Sequence, residues 1–445
     1  MNKNKIIGMI LITSMIFNIG CTNNINSDQK ESLKSKEVVF EENVINDLNS
    51  SVKITQEEIN FILPDSKYFN FRFYNNDKLY GEIVSSDEYG LPYESSESIP
   101  YYKIDNTKLY VVNNDFTVEE TNKEILVYNE NEGIRGINSN CYGENQHGVN
   151  YYNYETNEFK ELYRKKYSSE IGVINYLNGV SNVSEKIVEG NDNFGYSIYN
   201  YKENDEKIVS LQVVNLKSGD VYEYEAKGTD INFVIDIVYD IVTEKFYAVN
   251  SDGSICEVEL SNKSIKFSEI VKLDLDGINI VSEDQVTVNN DGEIILINKL
   301  QSSLYVTTNG EEVYEEIEKS NNLVISYKPA NKSIKNIIQS GNKNFEIVGY
   351  WVESNICILS NGKKEYYIGE IKGDRIDIYH KIEMEIGEND NIYLFNKIIN
   401  ENNTELLLHF KLNEAQVVSE GENVSLIQQE NLRNHYIKIN IERWN

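Results

Sequence analysis

Short apolar runs separated by tight-turn signals restrict this chain more than anything else in it. Asn250-Ser251-Asp252-Gly253, Asn289-Asn290-Asp291-Gly292, Thr308-Asn309-Gly310 and Ser360-Asn361-Gly362 each stand between two such runs. Asp-Gly and Asn-Gly supply the positive φ angles that a tight hairpin needs. A second kind of turn is a short polar string, at 154–158, 216–220 and 260–264. The runs between them include 109–112, 246–249, 294–297, 356–359, 392–395 and 436–441. Each is as long as a strand and too short for a typical globular helix. A chain written this way folds as antiparallel β-structure.

The turns also recur. The strings at 216–220 and 260–264 lie 44 residues apart, and Gly253 and Gly292 lie 39 apart. Four-stranded units of roughly 40–50 residues have that period. Residues 235–270, IDIVYDIVTEKFYAVNSDGSICEVELSNKSIKFSEI, read as strand, turn, strand, Asp-Gly turn, strand, turn, strand. Residues 286–317, VTVNNDGEIILINKLQSSLYVTTNGEEVYEEI, resemble the repeat of the NHL-type β-propellers. There an Asp-Gly hairpin, a buried strand, a polar connection and a second Gly hairpin follow in that order. The resemblance implies an all-β ring, a β-propeller of degenerate four-stranded blades. At ~40–50 residues per blade the folded length makes about eight, and long loops reduce that to seven. Two consecutive β-sandwich domains are the competing arrangement, and the repeat spacing favours the ring. Closure is helped if a strand from one terminus completes a blade from the other, and 436–441 is the candidate strand. One helix is expected ahead of the strands, where Thr55-x-x-Glu58 has the form of a capping box followed by Ile59, Phe61 and Ile62.

The N-terminus has a different grammar. Lys3 and Lys5 precede a mostly apolar run from Ile6 to Ile19, shorter than the ~20 residues of a spanning helix. It ends at Ile19-Gly20-Cys21 before polar Thr22-Asn23-Asn24. A small residue before Cys resembles the bacterial lipoprotein box, with Asn18 where Leu is usual. That resemblance implies cleavage before Cys21 and a diacylglyceryl group on its thiol. Residues 1–20 are then the signal peptide, 21–54 the lipidated Cys and a flexible tether, and 55–445 the β-propeller-like domain. The implied location is the extracellular face of the bacterial cell membrane, held there by the lipid.

Charge narrows the partners. The chain of 445 residues has 42 basic and 72 acidic side chains, a net −30. Loss of Lys3 and Lys5 with the signal makes the mature chain still more acidic. Nucleic-acid binders need a basic footprint, so no nucleic-acid partner is expected. Adhesion to anionic lipid is disfavoured for the same reason, which leaves the lipid anchor as the contact with membrane. The 32 Tyr accompany abundant Asn and Ile, the signature of codons poor in G and C, and serve as strand formers.

Catalytic signatures are missing. The chain has no G-x-S-x-G, no H-E-x-x-H, no phosphate-cradling Gly-rich loop and no dinucleotide fingerprint, and no cofactor or metal site is assigned. Its four histidines, His147, His380, His409 and His435, are far apart in sequence, and His409 reads as a strand or core histidine. Cys141 and His147 flank a polar loop that reads as a connection between blades. Asp274-x-Asp276-Gly277 resembles part of a calcium loop but lacks the rest, and reads as a hairpin turn. Cys141, Cys256 and Cys357 form no disulfide framework and read as buried apolar side chains. The expectation is therefore a membrane-anchored surface binding or scaffold lipoprotein, its ligand an unknown protein or glycan. The alternative is a surface hydrolase or lyase acting on polysaccharide, with acids and Tyr in the central channel.

Overall fold

Thirty-one strands carry the fold, and no α-helix occurs among the described residues. A computed structural model describes residues 37–38, 52–63, 67–85, 108–124, 134–141, 146–166, 172–173, 183–188, 194–203, 206–228, 234–275, 280, 285–297, 302–306, 312–316, 322–339, 345–361, 364–373, 375–387, 390–420 and 425–443. All of them belong to one of the chain's two units, Lys36–Asn445. Cys21 and the signal lie outside the described residues.

After β1 (Glu37–Val38) and β2 (Val52–Ile59), the strands follow as consecutive meanders. Meander A has β3 (Lys67–Asn75), β4 (Lys78–Ser85), β5 (Lys108–Val112) and β6 (Val118–Glu124). Meander B has β7 (Arg135–Cys141), β8 (Gln146–Asn153) and β9 (Glu158–Lys166). Meander C has β10 (Gly172–Val173), β11 (Val183–Val188), β12 (Phe194–Glu203), β13 (Glu206–Asn215) and β14 (Val221–Lys227). Meander D has β15 (Val234–Asp240), β16 (Lys245–Asn250), β17 (Ser254–Ser261) and β18 (Ser264–Lys272). Meander E has β19 (Val286–Val288), β20 (Ile294–Ile297), β23 (Asn322–Lys328) and β24 (Ser333–Gln339), with a separate hairpin, β21 (Ser302–Val306) and β22 (Glu312–Glu316), between its second and third strands. Meander F has β25 (Glu346–Trp351), β26 (Ile356–Ser360), β27 (Tyr366–Lys372) and β28 (Arg375–Lys381). Meander G has β29 (Asp390–Ile399), β30 (Glu405–Glu420) and β31 (Ser425–Arg443). Five of the hydrogen-bonded sheets have four strands or more, and one of these is C and D joined by a single parallel pairing of Glu225 with Ser264.

The apolar runs are continuous because both faces of each sheet are covered. Ile294 and Leu296 pack with Ile235, Val249 and Ile255 of D, while Ile295 and Ile297 pack with Ile347, Leu359 and Tyr367 of F. Ile356 and Ile358 turn the other way, onto Leu406, Leu408 and Ile439 of G. Similar clusters join A to B, B to C and C to D. A further cluster joins G to A: Leu407, Tyr436 and Ile59 pack against Tyr68, Phe69, Phe71 and Leu79. Sheets that bury each face on a neighbour make a propeller-like, all-β arrangement, because no single small sheet can bury its own faces.

The two ends of the chain meet in G. Strand β2 pairs with β31 from Val52 opposite Arg443 to Ile59 opposite Tyr436. Strand β31 is thus the third strand of G, and β2 is its outer, fourth one. This corrects the helix expected at 55–62. The Thr55-x-x-Glu58 pattern is local, and the open edge of β31 offers every second backbone group of 52–59 a partner that a lone helical turn lacks.

Two readings of the repeat are also corrected. In 286–317 only β19 and β20 belong to sheet E, and the second Gly hairpin is the inserted β21–β22 pair. Gly253 closes the second turn of D and Gly292 the first turn of E, so their spacing of 39 does not join equivalent positions. The 44-residue spacing does, since both strings link the last two strands of their meanders. Both glycines have positive φ, 78° and 73°.

Asn, more than Gly, organises the turns. Asn113, Asn250, Asn289, Asn361 and Asn400 each close a strand, and each Nδ2 donates to the side chain four residues on: Thr117, Ser254, Glu293, Glu365 and Thr404. At 289, 361 and 400 the Asn Oδ1 also accepts backbone N–H groups of the same turn. The carboxamide supplies the partners that backbone groups lose where the ladder stops.

Candidate binding face

An antiparallel meander places its first and third connections at one end and its second connection, with the crossing to the next sheet, at the other. C and D keep the same polarity, as the parallel contact of β14 with β18 requires. In B the turn 154–157 lies at the end of the third turn of C, since a Cβ on Gly219 would come within 3.3 Å of Lys160 Nζ. The first end is uniform. Its described turns are 76–77, 113–117, 154–157, 216–220, 241–244, 262–263, 289–293, 329–332, 352–355 and 400–404, none longer than five residues. They also touch one another. Asn402 Nδ2 donates to Asp77 Oδ1 at 3.2 Å, and a Cβ on Gly292 would meet Asp240 Oδ1 at 2.3 Å.

The second end holds the two longest connections within meanders, beside short turns at 251–253 and 361–365. The chain from β4 to β5 is 86–107, and from β20 to β23 it is 298–321 with its own hairpin. Strands β6, β9 and β18 end there too, at Glu124, Lys166 and Lys272, and β30 and β31 continue past the rest of G. Where this end is described, it is braced from below. Leu273 N donates to Gly253 O at 3.0 Å, and Ile280 N to Ser251 O at 2.8 Å. Lys381 Nζ donates to Glu365 at 2.5 Å and holds that carboxyl below the usual range, helped by the Tyr367 hydroxyl. Variable chain on a rigid scaffold is where binding sites are built.

The inner strands do not concentrate reactive groups. Arg72 on β3 pairs with Glu82 at 2.7 Å, both almost fully buried, and Glu82 also accepts from Asn70 at 2.9 Å. Asn396 on β29 donates to Asn70 at 2.7 Å, which ties G to A. Lys186 on β11 donates to the buried Asp236 of β15 at 2.5 Å. These charges are spent on each other, the first pair within A and the second between C and D. Among the described residues no group of three His, Cys, Asp or Glu is placed to hold a metal.

The histidines are held apart. His409 is fully buried, stacked on Tyr436 with ring centroids 4.4 Å apart, and its Nε2 lies 2.8 Å from Asn434 Oδ1. His380 Nε2 lies 3.0 Å from Gln56 Oε1, and His435 lies 3.3 Å from Glu58. The register sets His147 opposite Cys141 across β7 and β8, with 142–145 and both side chains outside the described residues. Cys256 and Cys357 are buried, unbridged thiols, and burial pushes both up. Asp274 is exposed just after β18, while Asp276 and Gly277 lie outside the described residues.

Burial holds the His409 ring well below the usual histidine range, at about 3, with the Asn434 contact opposing it. A histidine depressed from 6.5 stays neutral in the fold but takes a proton when unfolded. Its contribution is therefore complete above pH 6.5 and is lost as pH falls toward 3. At pH 5 the loss is about 2 kcal/mol. Denaturant titrations from pH 7 to pH 5 should show that decline, and His409→Phe should flatten it. An equally steep decline in the variant would assign it to other groups.

No family model matches this chain, and no curated protein matches it. Solved structures with a similar chain path include a protein described as a 6-phosphogluconolactonase from Bacteroides fragilis, 13% identical, with a TM-score of 0.28 over 68% of this chain and 98% of that one. The C-terminal WD40 domain of Sif2 is 8% identical, with a TM-score of 0.35 over 87% of this chain and 89% of that one. KlAtg21, in complex with the coiled-coil of AgAtg16, is 10% identical, with a TM-score of 0.36 over 71% of this chain and 99% of that one. At this distance the likenesses say nothing of activity or partner.

Proposed function

We propose that this chain is a surface binding or scaffold lipoprotein, anchored by a lipid on Cys21, whose binding face is the long-connection end of a seven-bladed ring. The observation that carries this reading is the contrast between ends. The described turns at one end run to five residues or fewer, while the two longest connections within meanders, 86–107 and 298–321, join strand ends at the other. Seven blades account for the seven seams, with C and D as separate blades and β2 as the outer strand of the last. The ligand is a protein or glycan. Binding rather than catalysis is favoured because the buried charges Arg72, Glu82 and Asp236 are paired with one another or with Lys186.

Affinity capture from intact cells with the chain lacking its signal tests the face. A captured partner that is lost when 86–107 is replaced by a short turn, and kept when a 2–5-residue turn such as 241–244 is changed, supports the reading. The opposite pattern would move the face to the other end. For the anchor, Cys21→Ser should release the protein into the medium or leave an uncleaved precursor. Mature Cys21→Ser protein that stays on the membrane would remove the lipid from the account.

A further inference from the structure

The two faces of C differ in chemistry. Antiparallel pairing sets Gly195, Val214 and Val221 in one row across its sheet. Two residues further along each strand, on the same face, stand Ser197, Gln212 and Glu223, and then Tyr199, Ser210 and Glu225. Val214 and Val221 pack against Ile137, Val149 and Leu162 of B, so all three rows face B. The opposite face carries Tyr196, Ile198, Val209, Leu211 and Ala226, which pack with Val234, Ile237, Phe246 and Ala248 of D. One sheet therefore has an apolar seam on one side and a largely polar seam on the other.

The polar seam is closed, since Ser197, Ser210 and Gln212 are 0% exposed. Gln212 Nε2 donates to Ser210 Oγ at 2.6 Å, and Ser210 Oγ donates to Glu223 at 3.3 Å. Gln212 Oε1 meets no donor among the described residues. Lys165 on β9, its side chain 27% exposed, reaches across from B to Glu223 at 3.2 Å and Glu225 at 2.5 Å. Parting B from C exchanges such hydrogen bonds for bonds to water, at little net cost. Parting C from D uncovers apolar area, which water does not repay. B is also lightly built. Its described sheet has three strands, and Ile137 and Val149 are the only aliphatic residues of β7 and β8. Toward A it is held by Phe73 stacked on Tyr154, with ring centroids 5.2 Å apart.

Segments that move on binding come from the least stable parts of a fold. We infer that the seam between B and C is a gate, parting while the apolar seams hold, with Lys165 as its latch. The gate gives the proposed binding face one place that opens, and its use rests on that reading.

Thiol labelling of the full chain without its signal tests the gate, with iodoacetamide as the probe and mass spectrometry to read each Cys. Ser197→Cys places a reporter in the B–C seam. The buried native Cys256 and Cys357 report on the C–D and E–F seams. Each rate is divided by the rate at the same Cys in the denatured chain. The Ser197→Cys thiol should label at least tenfold faster than Cys256 and Cys357. Adding Lys165→Met should raise its rate at least tenfold further and leave the other two unchanged. Lys165→Arg keeps the charge and should stay near the parent rate. Salt at ~1 M screens a partly exposed pair and should speed the Ser197→Cys thiol alone. Should Lys165→Met fail to fold, the salt series on Ser197→Cys still decides. Equal rates at the three thiols overturn the inference, as does a Lys165→Met variant that speeds all three alike or none. Labelling reads the gate whether or not a partner is captured from cells, so gate and binding face fail separately.

Discussion

Removing residues 436–445 is expected to leave a chain that aggregates or melts far below the parent. Ile437, Ile439 and Ile441 are 1%, 0% and 4% exposed and pack against Ile356, Ile358 and Ile368 of the neighbouring sheet. Burying each contributes roughly 1.5–3 kcal/mol. Tyr436 is lost with them, and its hydroxyl both accepts from Phe69 N at 2.8 Å and donates to Phe69 O at 3.1 Å, across the seam between the last meander and the first. Strand β2 then has no partner. A typical domain has only about 5–15 kcal/mol of net stability. A gentler version separates burial from truncation. Ile439→Ala should cost 2–5 kcal/mol by denaturant unfolding. Lys53→Ala, in an exposed pair with Glu442 on the same two strands, should stay within about 0.5 kcal/mol. A truncated chain that melts with the parent would falsify closure through β31.

The second large effect belongs to Arg72 and Glu82. Their side chains are 3% and 2% exposed, and Glu82 also accepts from Asn70 on the same strand pair. Arg72→Met leaves a carboxylate buried without its guanidinium, and Glu82→Leu leaves a guanidinium without its carboxylate. Each should cost about 3–5 kcal/mol, because an uncompensated buried charge is far worse than none. The double variant should recover most of that loss, as apolar replacements of a whole buried pair often do. A double-mutant cycle in denaturant measures the coupling. Single variants within 1 kcal/mol of the parent would mean that water or another group already serves each charge.

What the sequence by itself determined was local. Residues 235–270 spell one complete meander, β15 to β18, because each of its hairpins is closed by residues adjacent in the chain. The turn at Asn262 and Lys263, both with positive φ, needs only its own neighbours to form. The buried place of His409, inside Leu406-Leu407-Leu408-His409-Phe410, was legible for the same reason. The five Asn turns were legible as well, in an Asn at the end of an apolar run with Glu, Ser or Thr four residues on, a signal that attention to Gly passes over.

The tertiary structure decided the rest, because those choices rest on partners hundreds of residues away. Residues 52–59 carry a helix-capping pattern and form a strand, since the edge that completes them belongs to 436–443. The hairpin at 302–316 has the local form of a blade and stands outside one, because β20 takes β23 as its neighbour. Arg72 sits in the aromatic run Tyr68-Phe69-Asn70-Phe71-Arg72-Phe73, yet its burial became intelligible only once Glu82 and Asn396 were placed beside that strand. The contrast between the two ends of the sheets is likewise invisible along the chain. Only the antiparallel ladder brings the two longest connections within meanders, 86–107 and 298–321, to the same end, where short turns such as 251–253 and 361–365 also lie.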